Sequence, residues 1–168
     1  GRKAKQLMSG GASGVAVTPA GFRNGGTLAR VGVGIDGSPE SKLALGVASG
    51  LVAEGSNLQL IAVAAGFADE WGRWGATYPL AEMAEATREA AEDHLEEAAG
   101  SLPPGVKAEP LLLEGTAPIK LAEASQGLDL LCLGSRGYGP VKRVLLGSVS
   151  ADVVNHAGSA VMVLPRSE

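Results

Sequence analysis

The chain is poor in aromatic residues, with two each of Phe, Trp and Tyr making up 4% of its 168 residues. A core without rings must be built from Val, Leu, Ile and Ala, and hydrophobic residues do reach 45%. The single cysteine, Cys132, excludes an intrachain disulfide. It lies in the apolar run Leu130-Leu131-Cys132-Leu133, where a small core residue is expected rather than a redox or nucleophilic group. No apolar run approaches the ~20 residues of a membrane span, and no charged, apolar and cleavable leader is apparent. A cytoplasmic protein with no membrane partner is therefore expected. Positive charge is also in short supply: 14 Lys and Arg against 18 Asp and Glu leave a formal charge of −4. That balance offers no broad basic face to nucleic acid. The two histidines, His94 and His156, have no partner at ligand or triad spacing, so neither a metal site nor Ser–His–Asp chemistry is expected. His94 lies in a strongly charged segment and is expected to face solvent. His156 lies near a helix end, where its protonated form favours the dipole.

Glycine, by contrast, is abundant at 25 residues, far above the usual ~7%. A glycine motif therefore counts only where its position in the fold supports it. From Ala29 onward, short apolar runs alternate with helical ones. Strands are predicted over 30–35, 58–65, 107–113, 128–133 and 160–164. The first ends on Asp36-Gly37-Ser38, a turn and helix start with Ser38 or Ser41 as N-cap and Pro39 in the first turn. The helix that follows presents Leu43, Leu45, Val47, Ala48, Leu51 and Val52 as its apolar face. Further helices are predicted over 80–99, 117–125 and 148–156. In the first of these, Glu82, Glu85, Glu89, Glu92, Glu96 and Glu97 form a solvated face with Arg88 rather than an acid–base pair. The Gly-rich loop of residues 66–79 holds Trp71 and Trp74, to which no role is assigned.

Continuous apolar strands separated by crossover helices imply an α/β fold: an open, mostly parallel five-stranded sheet with helices on both faces. Ligands of such sheets bind outside the carboxyl ends of the strands, where the strand order reverses. Those ends carry Asp36, Ala64-Ala65 and Gly134.

Residues 1–28 do not fit the β/α alternation, but they resemble the end of the chain. Ser13-Gly14-Val15-Ala16-Val17-Thr18-Pro19 lies over Ser159-Ala160-Val161-Met162-Val163-Leu164-Pro165. Two origins are open. Residues 1–20 are either the last helix and strand of a preceding similar domain, joined by a linker over 21–28 to a domain over 29–168, or a Gly-rich tail. The first makes Gly14–Thr18 a strand.

The strongest chemical signal is Gly134-Ser135-Arg136-Gly137, a nine-residue spacer, and Gly147-Ser148. It leaves a predicted strand and ends at a predicted helix start. Glycines let the backbone approach an anion with its N–H groups turned inward, and the free N–H groups of a helix start favour negative charge. Ser148 and Ser150 add hydroxyl donors. The pattern is neither a Walker loop, since no Gly-Lys-Ser/Thr is present, nor the dinucleotide fingerprint, which follows the first strand. Asp36 is suited either to accepting hydrogen bonds from a ribose or adenine amine or to capping the next helix.

Val31-Gly32-Val33-Gly34-Ile35-Asp36-Gly37-Ser38 resembles the first strand of universal stress proteins, and Gly115-Thr116-Ala117-Pro118-Ile119 is similar to the stretch before their third helix. Gly134 through Ser148 matches the family's G-x2-G-x9-G-S/T nucleotide signature without a gap. This resemblance implies a Rossmann-like fold and an adenine nucleotide: ATP with or without Mg2+, AMP or a cyclic nucleotide. By position it implies that Asp36 and Gly34 meet adenosine and that Val63 meets adenine. It implies that Leu133, Gly134, Arg136, Gly137, Gly147, Ser148 and Val149 surround the phosphates and ribose. Gly34 stands where some relatives have proline. The resemblance also implies a homodimer, or intrachain domain pairing, through the last strands, which would set Val15 and Val17 alongside Val161 and Val163 and cover an apolar edge strand. No residue is placed as a base for an attacking water, so a stress-response binding module with little or no hydrolysis is expected. A weak ATPase or adenylyl-handling enzyme, and a nucleotide-free interaction protein, remain as alternatives.

Overall fold

The computed structural model of the chain describes residues 14–22, 26–66, 80–135 and 147–165. In chain order the elements are β1 (Val15–Val17), β2 (Val31–Gly34), α1 (Pro39–Leu51), β3 (Asn57–Ala65), α2 (Leu80–Gly100), β4 (Lys107–Gly115), α3 (Ala117–Ser125), β5 (Leu130–Gly134), α4 (Ser148–His156) and β6 (Ala160–Leu164). Helices α3 and α4 and strand β6 have the expected bounds. The sheet has six strands rather than five, in the order β1-β6-β5-β2-β3-β4. The five expected strands are parallel, and β1 adds an antiparallel edge to β6 with Val15 opposite Val163 and Val17 opposite Val161.

Side-chain alternation along the strands divides the core into two layers. Val31, Val33, Leu58, Leu60, Leu130 and Cys132 face α1 and α2, packing on Ala44, Leu45, Ala48, Ala91, Leu95 and Ala98. Ile61, Leu131, Leu133, Val161 and Val163 face the other way, onto Leu121 of α3 and Val153 of α4. Val15 and Val17 join this second layer. Their apolar side chains and the β6 edge thus cover one another, which is why so short a strand pairs here. Small residues at 44, 48, 91 and 98 let α1 and α2 lie close to the sheet in the absence of aromatic filling.

Leu51 departs from the expected apolar face of α1: it is the last residue of the helix, 38% exposed, where the chain turns away from the sheet. The six glutamates of α2 are all exposed, and Arg88 pairs with Glu92 one turn on at 3.1 Å. Cys132 is fully buried, and burial pushes its thiol up to about 12, so the reactive thiolate is suppressed.

At the amino ends of the strands, Arg30 and Asp129 tie β2 to β5. The Asp129 carboxylate accepts the Arg30 backbone N–H at 2.8 Å and pairs with Nη2 of Arg30 at 3.0 Å. The Asp129 N–H donates back to the Arg30 carbonyl at 2.7 Å. The hydrogen bond from the Arg30 side chain, chiefly, holds the Asp129 carboxyl below the usual carboxylate range. A depressed pKa contributes stability that is present above the unfolded value of about 3.9 and is lost as pH falls through the folded value. Wild-type stability should therefore decline below about pH 4 more steeply than that of Asp129→Asn, which has no carboxyl to protonate. Denaturant titrations across that window check this, and parallel curves would show that the pair contributes nothing.

Candidate functional site

The strand order places a reversal between β2 and β5: from β2 the chain proceeds through β3 to β4 on one side, then crosses to β5 and β6 on the other. Val33 lies opposite Cys132, so the parallel register carries Asp36 and Ser135 out of the sheet side by side. A crevice forms at such a reversal because the crossovers on its two sides leave in opposite directions. Here α1 and α2 pack on one face and α3 and α4 on the other.

Several of the expected site residues converge on this end. Gly34 sits against Leu133 and Leu121, hence on the α3/α4 side; Leu133 is buried in that layer, and Val63 is partly buried against it. Gly147 is the N-cap of α4, extended at φ −60° and ψ 160°, and Ser148 and Val149 follow it exposed, Val149 by 36%. The first turn of α4 carries no acidic residue. With no acidic residue of its own to neutralise it, the positive dipole end of α4 and the N–H groups of its first turn are suited to an anion. Arg136 and Gly137, the remaining members of the expected set, lie outside the described residues, as do Trp71 and Trp74.

Asp36 is exposed at the end of β2. Its Oδ1 accepts the Ser38 N–H at 3.0 Å and also the Ser38 hydroxyl. Ser38, not Asp36, is the N-cap of α1: its Oγ accepts the Ser41 N–H at 3.2 Å. Asp36 thus anchors the residue that caps α1.

Two side chains, those of Ser150 and His94, differ from expectation, and Gly134 has a packing role beside the expected one. Ser150 is buried, and its hydroxyl donates to the Gly134 carbonyl at 3.2 Å, so it ties α4 to β5 instead of facing an anion. Gly134 is hemmed in by backbone: a Cβ there would stand 2.5 Å from the carbonyl carbon of Glu40. Its lack of a side chain is thus required by packing against the start of α1, whatever else it touches. His94 does not face solvent. It is half-buried, and its imidazole occupies the space where a side chain on Gly37 would stand. The signal was present in the sequence: Ala91, His94, Leu95 and Ala98 have the i, i+3, i+4, i+7 spacing of one helix face. His156 does lie in the last turn of α4, with Nδ1 2.8 Å from the Asp152 carbonyl. Among the described residues no group of three or more His, Cys, Asp or Glu could hold a metal ion, and no helix is long and apolar enough to cross a membrane.

The molecule is thus a doubly wound α/β domain, whose strand-order reversal brings the Asp36 turn and the start of α4 to the same end of the sheet. The chain belongs to the universal stress protein family, whose model matches residues 27–165. No curated protein matches it. Among solved structures, a universal stress protein in complex with cAMP has a TM-score of 0.53 at 24% identity, covering 84% of this chain and 99% of that one. A family protein from Arabidopsis thaliana with AMP bound has a TM-score of 0.54 at 20% identity, covering 82% and 91%. A universal stress protein from Archaeoglobus fulgidus reaches 0.63 at 21% identity over 98% of this chain, which spans 54% of that longer one.

Proposed function

We propose that the chain is a stress-response module that binds an adenine nucleotide in the crevice between β2 and β5, with ATP as the leading ligand and AMP or a cyclic nucleotide as competitors. What supports this is the strand-order reversal, which sets the ends of β2 and β5 side by side, with Asp36 beyond the one and α4 docked through Ser150 on the other. The donor set fits such a ligand. Free helix N–H groups and the Ser148 hydroxyl suit phosphate oxygens, and the Asp36 carboxylate suits ribose hydroxyls or the adenine amine. Arg136 and Gly137 would complete the phosphate side, with Mg2+ as counter-ion. The complexes of family proteins with cAMP and AMP support the adenine assignment.

The same proposal gives β1 a meaning. Residues 1–20 are the end of a preceding similar domain, 21–28 are the linker, and β1 pairs with β6 as one domain's last strand with another's. The repeated strand sequence and the twofold length of the Archaeoglobus relative support this. Through β6, either the tandem partner or a second copy would transmit the nucleotide state.

Mass spectrometry of ligand released from purified protein should give an adenine nucleotide. In single-turnover mixtures ATP should persist for minutes, because a phosphate cradle without a positioned base offers little differential stabilisation of the transition state. Turnover near the ~10 per second typical of enzymes would replace the binding module with an ATPase. Protein that neither retains nor takes up any adenine nucleotide would overturn both.

A further inference from the structure

We infer that His94, on a helix outside the crevice, is a positioning residue that braces the Asp36 turn for nucleotide binding. Gly37, between Asp36 and Ser38, has φ +73°, in the left-handed region that side-chain-bearing residues rarely adopt. A Cβ on Gly37 would lie against Nε2 of His94, 2.5 Å from Cδ2 and 2.8 Å from Cε1. Glycine is thus required twice over, once by its backbone and once because the imidazole fills the space beside it.

The ring is held there by its helix. Ala91, Leu95 and Ala98 bury one stripe of α2 in the core, and His94 sits on the flank of that stripe facing α1. One turn on, Glu97 bonds Lys42 of α1 at 2.6 Å, so the two helices are tied on the same side. Ile35, Gly37, Leu45, His94, Glu97 and Ala98 line a cavity of about 290 Å³ between the helices. With this much empty space behind the turn, the imidazole is the contact from α2 that stops Gly37 from moving inward. Inward movement of Gly37 would carry Ser38 with it and break the bonds by which Ser38 fixes the Asp36 carboxylate. Since Asp36 is exposed and flexible side chains gain little from a bond they must first be ordered to make, holding the carboxylate in place favours binding.

The inference rests on the nucleotide reading for its consequence but not for its geometry, so the test has two arms. In the free protein, His94→Ala should speed amide exchange at Ser38, whose N–H donates to Asp36, by about tenfold. Exchange should not change at Ile35, whose N–H donates to the Ile61 carbonyl at 2.8 Å in the sheet. In calorimetric titrations, His94→Ala should weaken AMP by about tenfold and leave inorganic triphosphate unchanged, while His94→Phe, which restores a flat ring, should return AMP affinity to within about threefold of wild type. Unchanged exchange at Ser38, equal acceleration at Ile35, equal weakening of triphosphate, or failure of the Phe variant to restore binding would each overturn the brace. A wild-type protein that binds no adenine nucleotide, ATP and AMP included, would overturn the nucleotide reading alone, and exchange at Ser38 would then decide the brace.

Discussion

Gly134→Ala is expected to destabilise the fold by about 3 kcal/mol, the upper end of the usual cost of overpacking, or roughly 6–12 °C in Tm for a chain of this size. The added Cβ would stand 2.5 Å from the Glu40 carbonyl carbon and 2.7 Å from both its Cβ and its carbonyl oxygen. These are mostly backbone atoms at the start of α1, so no side-chain rotation relieves the clash. Either α1 moves off the sheet, opening the layer around Ala44 and Leu45, or β5 yields and strains the Ser150 hydrogen bond to the Gly134 carbonyl. Gly46→Ala provides the contrast. A Cβ there meets nothing within 4 Å, and in the interior of α1 the change should stabilise by about 0.5–1 kcal/mol through helix propensity and reduced freedom of the unfolded chain. Thermal unfolding of the two variants should shift in opposite directions. A Gly134→Ala melting point within about 2 °C of wild type would show that the start of α1 gives way at little cost.

The second large effect concerns the ligand. Gly147→Val should reduce affinity for AMP and for inorganic triphosphate together, by about a hundredfold or more, as expected when several charge-assisted hydrogen bonds are lost at once. Gly147 has φ −60° and ψ 160°, values that valine also adopts, so the fold should survive. The obstacle is local: a branched side chain at the N-cap stands where phosphate oxygens must approach the free N–H groups of α4. Asp36→Ala, at the other wall of the crevice, should weaken AMP by about tenfold, the cost of losing hydrogen bonds to a charged group, and spare triphosphate. Its thermal stability should fall by no more than about 1 kcal/mol, since Ser38 still caps α1 when Asp36 is gone. Calorimetry with both ligands on both variants distinguishes the phosphate wall from the adenosine wall. Undiminished triphosphate binding by Gly147→Val would remove α4 from the site. An Asp36→Ala variant that loses stability but no AMP affinity would return Asp36 to a purely local structural role.

Much of the molecule was legible before any coordinates. The bounds of α3, α4 and β6 follow from proline in a first turn, a glycine-flanked start and a continuous apolar run, signals carried by a few neighbouring residues. Parallel strands with helices on both faces follow from the alternation of elements alone. The antiparallel partner of β6 was legible only with the family resemblance added: residues 13–19 repeat residues 159–165, and the resemblance implies that last strands pair with one another. The end of the sheet at which a ligand is expected follows by the same logic, since the reversal of strand order fixes which strand ends lie together.

What the tertiary structure alone decided were contacts between residues far apart in the chain. A glycine in a nucleotide-like motif has the same letter whether a phosphate or another helix requires it, and only the fold brings Glu40 against Gly134. Ser150 looked like an anion donor because a serine near a helix start usually has a free hydroxyl, yet the docking of α4 on β5 gives it the Gly134 carbonyl. His94 looked solvated because its neighbours are charged, although its place on the helix was buried by period. That the ring meets Gly37 depends on where α2 is set against α1, a matter of packing between elements more than fifty residues apart. Local pattern determined the elements and their order because short-range sterics and hydrogen bonding act within a few residues. The partners of individual side chains were decided only when the layers closed, because close packing is settled by every surface that meets there.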